Sequence, residues 1–97
     1  MPYQLVYRQN ATTNIRAAKA WYKQQRPGLQ KTFASSVKEA VIRLQTTPEA
    51  FAVRYRNVRI VHTHTFPFSI HFYIDDTKRQ LVITNIIHDK RDFGMEQ

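Results

Sequence analysis

The sequence contains no cysteine, and only two glycines and four prolines occur among its 97 residues. The lack of cysteine excludes a disulfide-stabilised scaffold and a zinc site built on thiolates. The four histidines do not suggest another metal site, because no H-x-x-x-H helix pair and no carboxylate cluster accompanies them. We therefore expect this protein to use neither a metal ion nor another cofactor.

Long apolar runs are also missing. No stretch approaches the roughly 18–20 apolar residues of a membrane-spanning helix, and the N-terminus lacks the apolar centre of a signal peptide. The hydrophobic share of 42% is sufficient for one packed core in a chain of this length. These features predict a single domain over residues 1–97, located in the cytoplasm and not associated with a membrane.

Acidic residues are scarce as well. Seven Asp and Glu stand against fifteen Lys and Arg, which gives a formal net charge of +8. A charge of this size favours binding to a polyanion, whether a nucleic acid, an acidic protein or an anionic membrane surface. It carries no information about the fold.

The first half of the chain has helical periodicity. A short strand over residues 3–8 precedes a first helix, which Asn10, Thr12 or Thr13 can cap and which runs to about Gln25. A second helix follows the Arg26-Pro27-Gly28 break and ends near Pro48. Its apolar residues recur every three or four positions: Leu29, Phe33, Val37, Ala40, Val41 and Leu44. The aromatic residues expected in the core are Tyr7, Trp21 and Tyr22.

The second half alternates with a period of two. Strands are predicted over residues 58–65, 68–74 and 81–88, and their short connections favour an antiparallel meander. Because the helices precede the meander, they must cover one of its faces. The predicted fold class is therefore α+β, with an N-terminal strand and a helical hairpin packed on one face of a small antiparallel sheet.

The alternation also assigns side chains to the face that the helices leave open. If the phenylalanines of the middle strand lie beneath the helices, His71 and Tyr73 point the other way. On the strand before it, Val58 and Ile60 would form the inward pair, which directs Arg59 outward.

On the last strand, His88 shares a side with Val82 and Ile86 at the strand end. Lys90 and Arg91 follow within reach, so the open face would combine histidine, arginine and tyrosine.

These residue types match the needs of RNA cleavage through the ribose 2′-hydroxyl. Histidine can move protons near neutral pH, arginine binds and stabilises the phosphate, and aromatic rings stack unpaired bases. In this interpretation His88 transfers a proton, while Arg59 and Arg91 hold the scissile phosphate. The proposed nucleic-acid-binding residues are Arg54, Arg56, His71, Tyr73, Lys90 and Phe93.

Structural alternatives remain open for several of these residues. His71 can be an ordinary surface residue, and Arg54 and Arg56 can belong to a solvated basic loop. His62 and His64 can be satisfied core or edge histidines.

A succession of short motifs resembles the RelE/ParE toxin superfamily, most of all its plasmid-stabilisation branch. The motifs cover nearly the whole chain in order: Trp21-Tyr22-x-x-Gln25, Gly28-Leu29-x-x-x-Phe33, Leu44-x-x-x-Pro48, Arg59, Phe66-Pro67-Phe68-x-Ile70-x-Phe72 and His88-x-x-Arg91. The resemblance implies the same helix-pair-on-meander fold. It also implies a partner, a small antitoxin whose acidic C-terminal segment wraps and neutralises the toxin.

Activity divides this superfamily. RelE-like members cleave mRNA on the ribosome with basic side chains and a histidine or tyrosine, whereas ParE-like members lack those groups and poison DNA gyrase. Arg59 and His88 match positions of the RNase members. No tyrosine follows His88, however, and Arg54 and Arg56 lie where RelE-like enzymes use lysines.

Three hypotheses follow from these observations. The preferred one is a type II toxin that cleaves mRNA in a ribosome-dependent manner. The second is a ParE-like inhibitor of DNA gyrase without enzymatic activity. The third is a basic nucleic-acid-binding module that is not toxic.

Overall fold

The computed structural model describes residues 3–90. Arg91 and Phe93, two of the predicted site residues, lie outside the described residues. The elements in chain order are β1 (Gln4–Tyr7), α1 (Gln9–Gln25), α2 (Leu29–Thr46), a 3₁₀ turn (Pro48–Ala50), β2 (Val53–Tyr55), β3 (Val58–His62), β4 (Phe68–Asp75) and β5 (Gln80–His88).

The two helices form where the apolar periodicity places them. α2 buries the predicted stripe from Phe33 to Leu44, and Leu29 packs beside it. α1 begins earlier than predicted, directly after Arg8, and no side chain caps its N-terminus. The side chain of Asn14 in α1 points to the sheet, where its Nδ2 donates to Asn85 Oδ1 at 2.7 Å.

A tight turn joins the helices. The Arg26 amide donates to the Tyr22 carbonyl and closes α1, and the Leu29 amide donates to the Arg26 carbonyl. Gly28 precedes α2 with a φ of 98°, a conformation that side chains with a Cβ rarely adopt. The Arg26-Pro27-Gly28 break therefore reverses the chain because glycine occupies the position of positive φ.

The sheet has five strands in the order β1-β5-β4-β3-β2. The predicted antiparallel meander is confirmed in β3, β4 and β5. β1 extends the sheet by pairing in parallel with β5, so the sheet is mixed. The short edge strand β2 was not predicted, because three residues are too few for an alternating pattern to be recognised.

The core lies between the helices and one face of the sheet. Tyr22 and Phe33 from the helices contact Phe66 and Phe68, with ring centroids 4.9–6.3 Å apart. Of the three aromatic residues expected in the core, only Tyr22 is buried. Trp21 is 53% exposed and Tyr7 is 42% exposed, so their prediction as core residues is wrong.

The register of β3 reverses the predicted position of Arg59. Arg59 pairs with Phe72 and Val61 pairs with Ile70, so these β3 side chains share the face that the helices cover. Val58 and Ile60, the predicted inward pair, face the other side. β3 has two alternating sets of side chains, Val58 with Ile60 and Arg59 with Val61, and only one set can face the core. Val61 is almost completely buried, so its set is the one that faces the core.

A bulge reverses the predicted position of His88. The adjacent β4 residues His71 and Phe72 pair with positions 85 and 83 of β5, so β5 contains one extra residue there. An extra residue exchanges the two faces along the rest of a strand. His88 therefore pairs with Phe68 and lies on the helix-covered face, although strict alternation from Val82 placed it on the open one.

The turn between the helices yields a stability prediction. Replacing Gly28 with alanine should lower the free energy of unfolding by about 1–2 kcal/mol, because a Cβ strains the backbone at positive φ. Asparagine tolerates this region better and should cost less. Urea denaturation of both variants measures the difference, and wild-type stability of Gly28→Ala would contradict the role of the turn.

A second prediction concerns Arg59. Its guanidinium donates to the carbonyls of Phe51 at 2.7 Å and Glu49 at 3.3 Å, which attaches the segment after α2 to the sheet. Arg59→Ala should lower the free energy of unfolding by about 1–3 kcal/mol, since both bonds have a charged donor. Arg54→Ala, at an exposed position of β2, is the matched control and should change stability by less than about 0.5 kcal/mol. Equal stability of the two variants would disprove a structural role for Arg59.

Candidate functional site on the open face of the sheet

The open face is the side of the sheet opposite the two helices. β4 contributes Ser69, His71 and Tyr73 to it, as the alternation predicts. The neighbouring strands and their ends add Val6, Arg8, Tyr55, Val58, Ile60, His62 and Val82. Polar side chains thus occur in pairs on a floor of aliphatic residues.

His71 lies near the middle of the open face and is held by a tyrosine. Its Nδ1 lies 2.7 Å from the hydroxyl of Tyr55, and the two ring centroids are 5.8 Å apart. Only 8% of His71 is exposed. The pair therefore fixes the imidazole and shields it, so His71 is not the ordinary surface residue that the sequence left open as an alternative.

Tyr73 forms a second pair with Arg8. The Arg8 guanidinium donates to the Tyr73 hydroxyl at 2.7 Å, across the sheet from the end of β1. Tyr73 is partly exposed, so this pair places one cation and one aromatic ring on the open face. The sequence contains one indication that Arg8 lies on the open face, since Arg8 follows Val6 by two residues and alternation places both on the same side of the first strand.

A third group joins the ends of β3, β4 and β5. The Ser69 hydroxyl donates to Asp89 Oδ1 at 2.5 Å and lies 3.0 Å from His62 Nδ1. Because the serine proton goes to the carboxylate, His62 Nδ1 donates to the serine oxygen and does not accept from it. The order differs from a nucleophilic triad, where histidine takes the serine proton and an acid orients the histidine. Here the group binds three strand ends together and leaves His62 Nε2 directed elsewhere.

The predicted catalytic residues are not brought together on this face. Arg59 lies on the helix-covered side, bound to two backbone carbonyls. His88 lies on the same side, packed edge-on against Phe68 with ring centroids 5.0 Å apart. Its Nδ1 accepts from the Lys90 amide at 3.2 Å. Arg91, the third member, lies outside the described residues.

The predicted binding residues are also dispersed. Arg54 and Arg56 are exposed on and just after β2, the edge strand. Three steps between neighbouring strands, or about 14 Å, separate β2 from β5, where exposed Lys90 follows His88. The arginines and the end of β5 therefore do not form one compact phosphate-binding site.

Metal-binding clusters and membrane-spanning helices are both missing from the part of the chain that the structure describes. Within residues 3–90, no group of three or more histidine, aspartate or glutamate side chains is arranged to hold a metal ion. In the same part of the chain, neither helix is long and apolar enough to cross a membrane.

Known structures share this architecture. One is the chromosomal ParDE toxin–antitoxin system from P. aeruginosa, with a TM-score of 0.76 and 21% identity over 89% of this chain and 95% of that chain. Another is the RelBE2 toxin–antitoxin complex from Mycobacterium tuberculosis, with a TM-score of 0.60 and 17% identity over 91% and 99%. A mutant of the E. coli toxin RelE, in complex with an antitoxin RelB peptide, has a TM-score of 0.65 and 13% identity over 100% and 96%. At these identities the likeness shows the fold alone, and it confirms the predicted fold class.

Sequence comparison is more specific. No curated protein sequence matches the chain. Residues 5–93 match the family model described as the ParE toxin of the type II toxin–antitoxin system parDE. This match extends over most of the 97 residues and confirms the resemblance to the RelE/ParE superfamily. The chain belongs to the ParE toxin family of type II toxin–antitoxin systems.

Proposed function

We propose that this toxin arrests growth by inhibiting DNA gyrase, without a catalytic step of its own. The observation that carries the proposal is the position of Arg59 and His88 on the helix-covered face, in structural contacts. Cleavage of RNA needs a proton-transfer group and a phosphate-binding cation beside the same phosphate. Two of the three residues assigned to those tasks from the sequence, Arg59 and His88, therefore do not face a substrate bound on the open face.

The geometry of His71 supports the same conclusion. This imidazole lies on the open face, but it is buried and its Nδ1 is bound to Tyr55. A general base must come within about 3 Å of the proton that it removes. The Tyr55 hydroxyl occupies Nδ1, so a ribose hydroxyl cannot use that nitrogen while this bond is kept.

Membership of the ParE family supports the proposal independently. In the superfamily that the sequence resembles, the ParE-like branch acts on gyrase and lacks the RNase groups. We place this activity in the cytoplasm, where gyrase acts on DNA. The third hypothesis, a non-toxic binding module, is set aside because the chain belongs to a toxin family.

An antitoxin is the expected protein partner. The structural neighbours are toxin–antitoxin systems, and one of them contains a toxin bound to an antitoxin peptide. The net charge of +8 favours an acidic polypeptide as the ligand. We propose that such an antitoxin binds and neutralises this toxin.

Ribosome-dependent mRNA cleavage is the second candidate, and one observation favours it. His62 is exposed at the end of β3, and its bond to Ser69 leaves Nε2 available for proton transfer. In this candidate His62 takes the role that the sequence assigned to His88. The exposed cations Arg54, Arg56 and Lys90 would then contact RNA or the ribosome at separate points.

Expression of the toxin without antitoxin distinguishes the two candidates. Thymidine incorporation should stop before leucine incorporation, and the purified toxin should inhibit supercoiling by gyrase in vitro. The 5′ ends of translated mRNAs should remain unchanged. New 5′ ends within translated messages, together with unaffected supercoiling, would overturn gyrase inhibition in favour of cleavage.

Histidine variants test the chemistry directly. We expect His62→Ala and His88→Ala to arrest growth as the wild type does, because gyrase inhibition needs no proton transfer. The exposed His64 gives the matched control, His64→Ala. Circular dichroism establishes that each variant is folded. A folded His62→Ala protein that no longer arrests growth would refute the non-enzymatic mechanism.

A further inference from the structure

The open face of the sheet holds an arginine and a tyrosine in one fixed arrangement. The Arg8 guanidinium reaches from the end of β1 to the Tyr73 hydroxyl on β4, and their bond of 2.7 Å crosses β5. On β5, Val82 pairs with Val6 on one side and with Tyr73 on the other, and it is only 2% exposed. The bond between Arg8 and Tyr73 therefore crosses the sheet where the open face is aliphatic.

Tyr55 is the second aromatic side chain that is held on this face. Its hydroxyl is bound to His71 Nδ1, while 46% of the residue remains exposed. Tyr55 lies on β2 at one edge of the sheet, and Arg8 follows β1 at the other edge. Four steps between neighbouring strands, or about 19 Å, separate the two edge strands. The two anchored pairs therefore span the width of the open face.

Arg8 has donors left for a ligand. A guanidinium has five N–H donors in a planar fork, and within residues 3–90 Arg8 takes part in no salt bridge. The nearby carboxylates of Asp75 and Asp89 accept hydrogen bonds from a turn amide and from a serine hydroxyl. Arg54 and Arg56 add exposed positive charge at the β2 edge. The open face thus offers cations at both edges to an external anion.

This combination of side chains favours a protein surface as the ligand. Arginine and tyrosine are enriched among the residues that contribute most to the stability of protein–protein complexes. Side chains that are fixed before binding lose less conformational entropy when the complex forms. A nucleic acid binds through several cations along its phosphates, whereas the cations here lie at opposite edges with aliphatic and aromatic side chains between them. An acidic protein surface with apolar side chains beside its carboxylates matches this pattern.

We propose that the open face binds the target of the toxin, an acidic surface of DNA gyrase. In this complex Arg8 binds a carboxylate of the target, and Tyr55 and Tyr73 contact apolar side chains beside it. Tyr73 is also a positioning residue, because its hydroxyl orients the guanidinium of Arg8. The proposal rests on the proposed function, in which gyrase is the target, and it names the side chains through which a toxin without catalysis acts.

Inhibition of supercoiling by purified gyrase tests Arg8. Arg8→Ala should raise the toxin concentration for half-inhibition at least about tenfold, because it removes the group that binds the carboxylate of the target. The matched control is Lys31→Ala at an exposed position of α2, which changes the net charge equally and should stay within about twofold of the wild type. Equal inhibition by the two folded variants would overturn the assignment of the open face.

Tyr73→Phe tests positioning, since it keeps the ring and removes only the hydroxyl that holds Arg8. The variant should raise the concentration for half-inhibition by roughly threefold to tenfold. Added to Arg8→Ala, it should change inhibition by less than about twofold, because the hydroxyl acts through the guanidinium. Two effects that multiply in full in the double variant would contradict the positioning role.

Tyr55→Ala tests the other edge of the face. It should raise the concentration for half-inhibition at least about tenfold, because a half-exposed tyrosine that is already fixed gains contacts at little entropic cost. Trp21→Ala is the matched control, since Trp21 is a similarly exposed aromatic residue on α1. Thermal melts verify that both variants fold. Equal losses in the two folded variants would show that the open face is not distinguished from the helix side and would refute the proposal.

Direct binding separates this proposal from the proposed function. Calorimetry with DNA-free gyrase should give a Kd that Arg8→Ala raises at least about tenfold. A wild-type toxin that neither binds gyrase nor inhibits supercoiling would refute gyrase as the target, and this inference with it. A wild-type toxin that does both, with Arg8→Ala indistinguishable from Lys31→Ala, would refute the open face alone. If Arg8→Ala weakened binding to a short DNA duplex and left gyrase binding unchanged, the face would belong to nucleic acid instead.

Discussion

The antiparallel pairing of β4 with β5 determines most of what this structure can do. β4 is the central strand, and its first five residues, Phe68–Phe72, are buried. One side of β4 supports the aromatic contacts of Tyr22 and Phe33 with Phe68, which attach the helical hairpin to the sheet. The bulge in β5 opposite His71 then determines on which face of the sheet each side chain near the end of β5 lies.

The two sides of the sheet have different chemical characters. On the open face the polar groups bind one another, as in the pairs of Tyr55 with His71 and of Arg8 with Tyr73. On the helix side a groove between α1 and α2 has three cations with no salt bridge among the described residues. Cations without carboxylate partners remain available for an external anion, and side chains that bind each other are held in position before a partner binds. The excess positive charge is thus placed on the helices as well as on the sheet.

This distribution clarifies how one fold can serve different targets. The helical hairpin and the sheet make a stable scaffold, and activity depends on which side chains the scaffold places beside one another. Here the strand register directs Arg59 to backbone carbonyls and His88 to an aromatic ring. Both contacts stabilise the scaffold. They also hold the Arg59 guanidinium and the His88 imidazole on the helix-covered side of the sheet.

Much of the architecture follows from local patterns. The stripe from Leu29 to Leu44 determines α2, because its three- and four-residue spacing can bury only one side of a helix. Pro48 and the Gly28 turn delimit that helix, and alternation over residues 68–74 identifies β4. The net charge and the succession of motifs identified the superfamily and the kind of partner. Each helix, strand and single motif depends on neighbours within a few residues along the chain, and the net charge depends on composition alone.

The site depended on contacts between distant residues. Alternation predicted two faces for each strand, but one extra residue in β5 exchanged the faces for His88, and pairing with β4 placed Arg59 opposite to expectation. The groove between the helices is another tertiary feature, since its cations Arg16, Lys19 and Lys38 come from two helices that meet only after packing. The sequence by itself determined the helices, the meander and the charge of this toxin. Only the tertiary structure decided which face each charge and each histidine occupies, because register across strands and packing between helices are set by long-range burial.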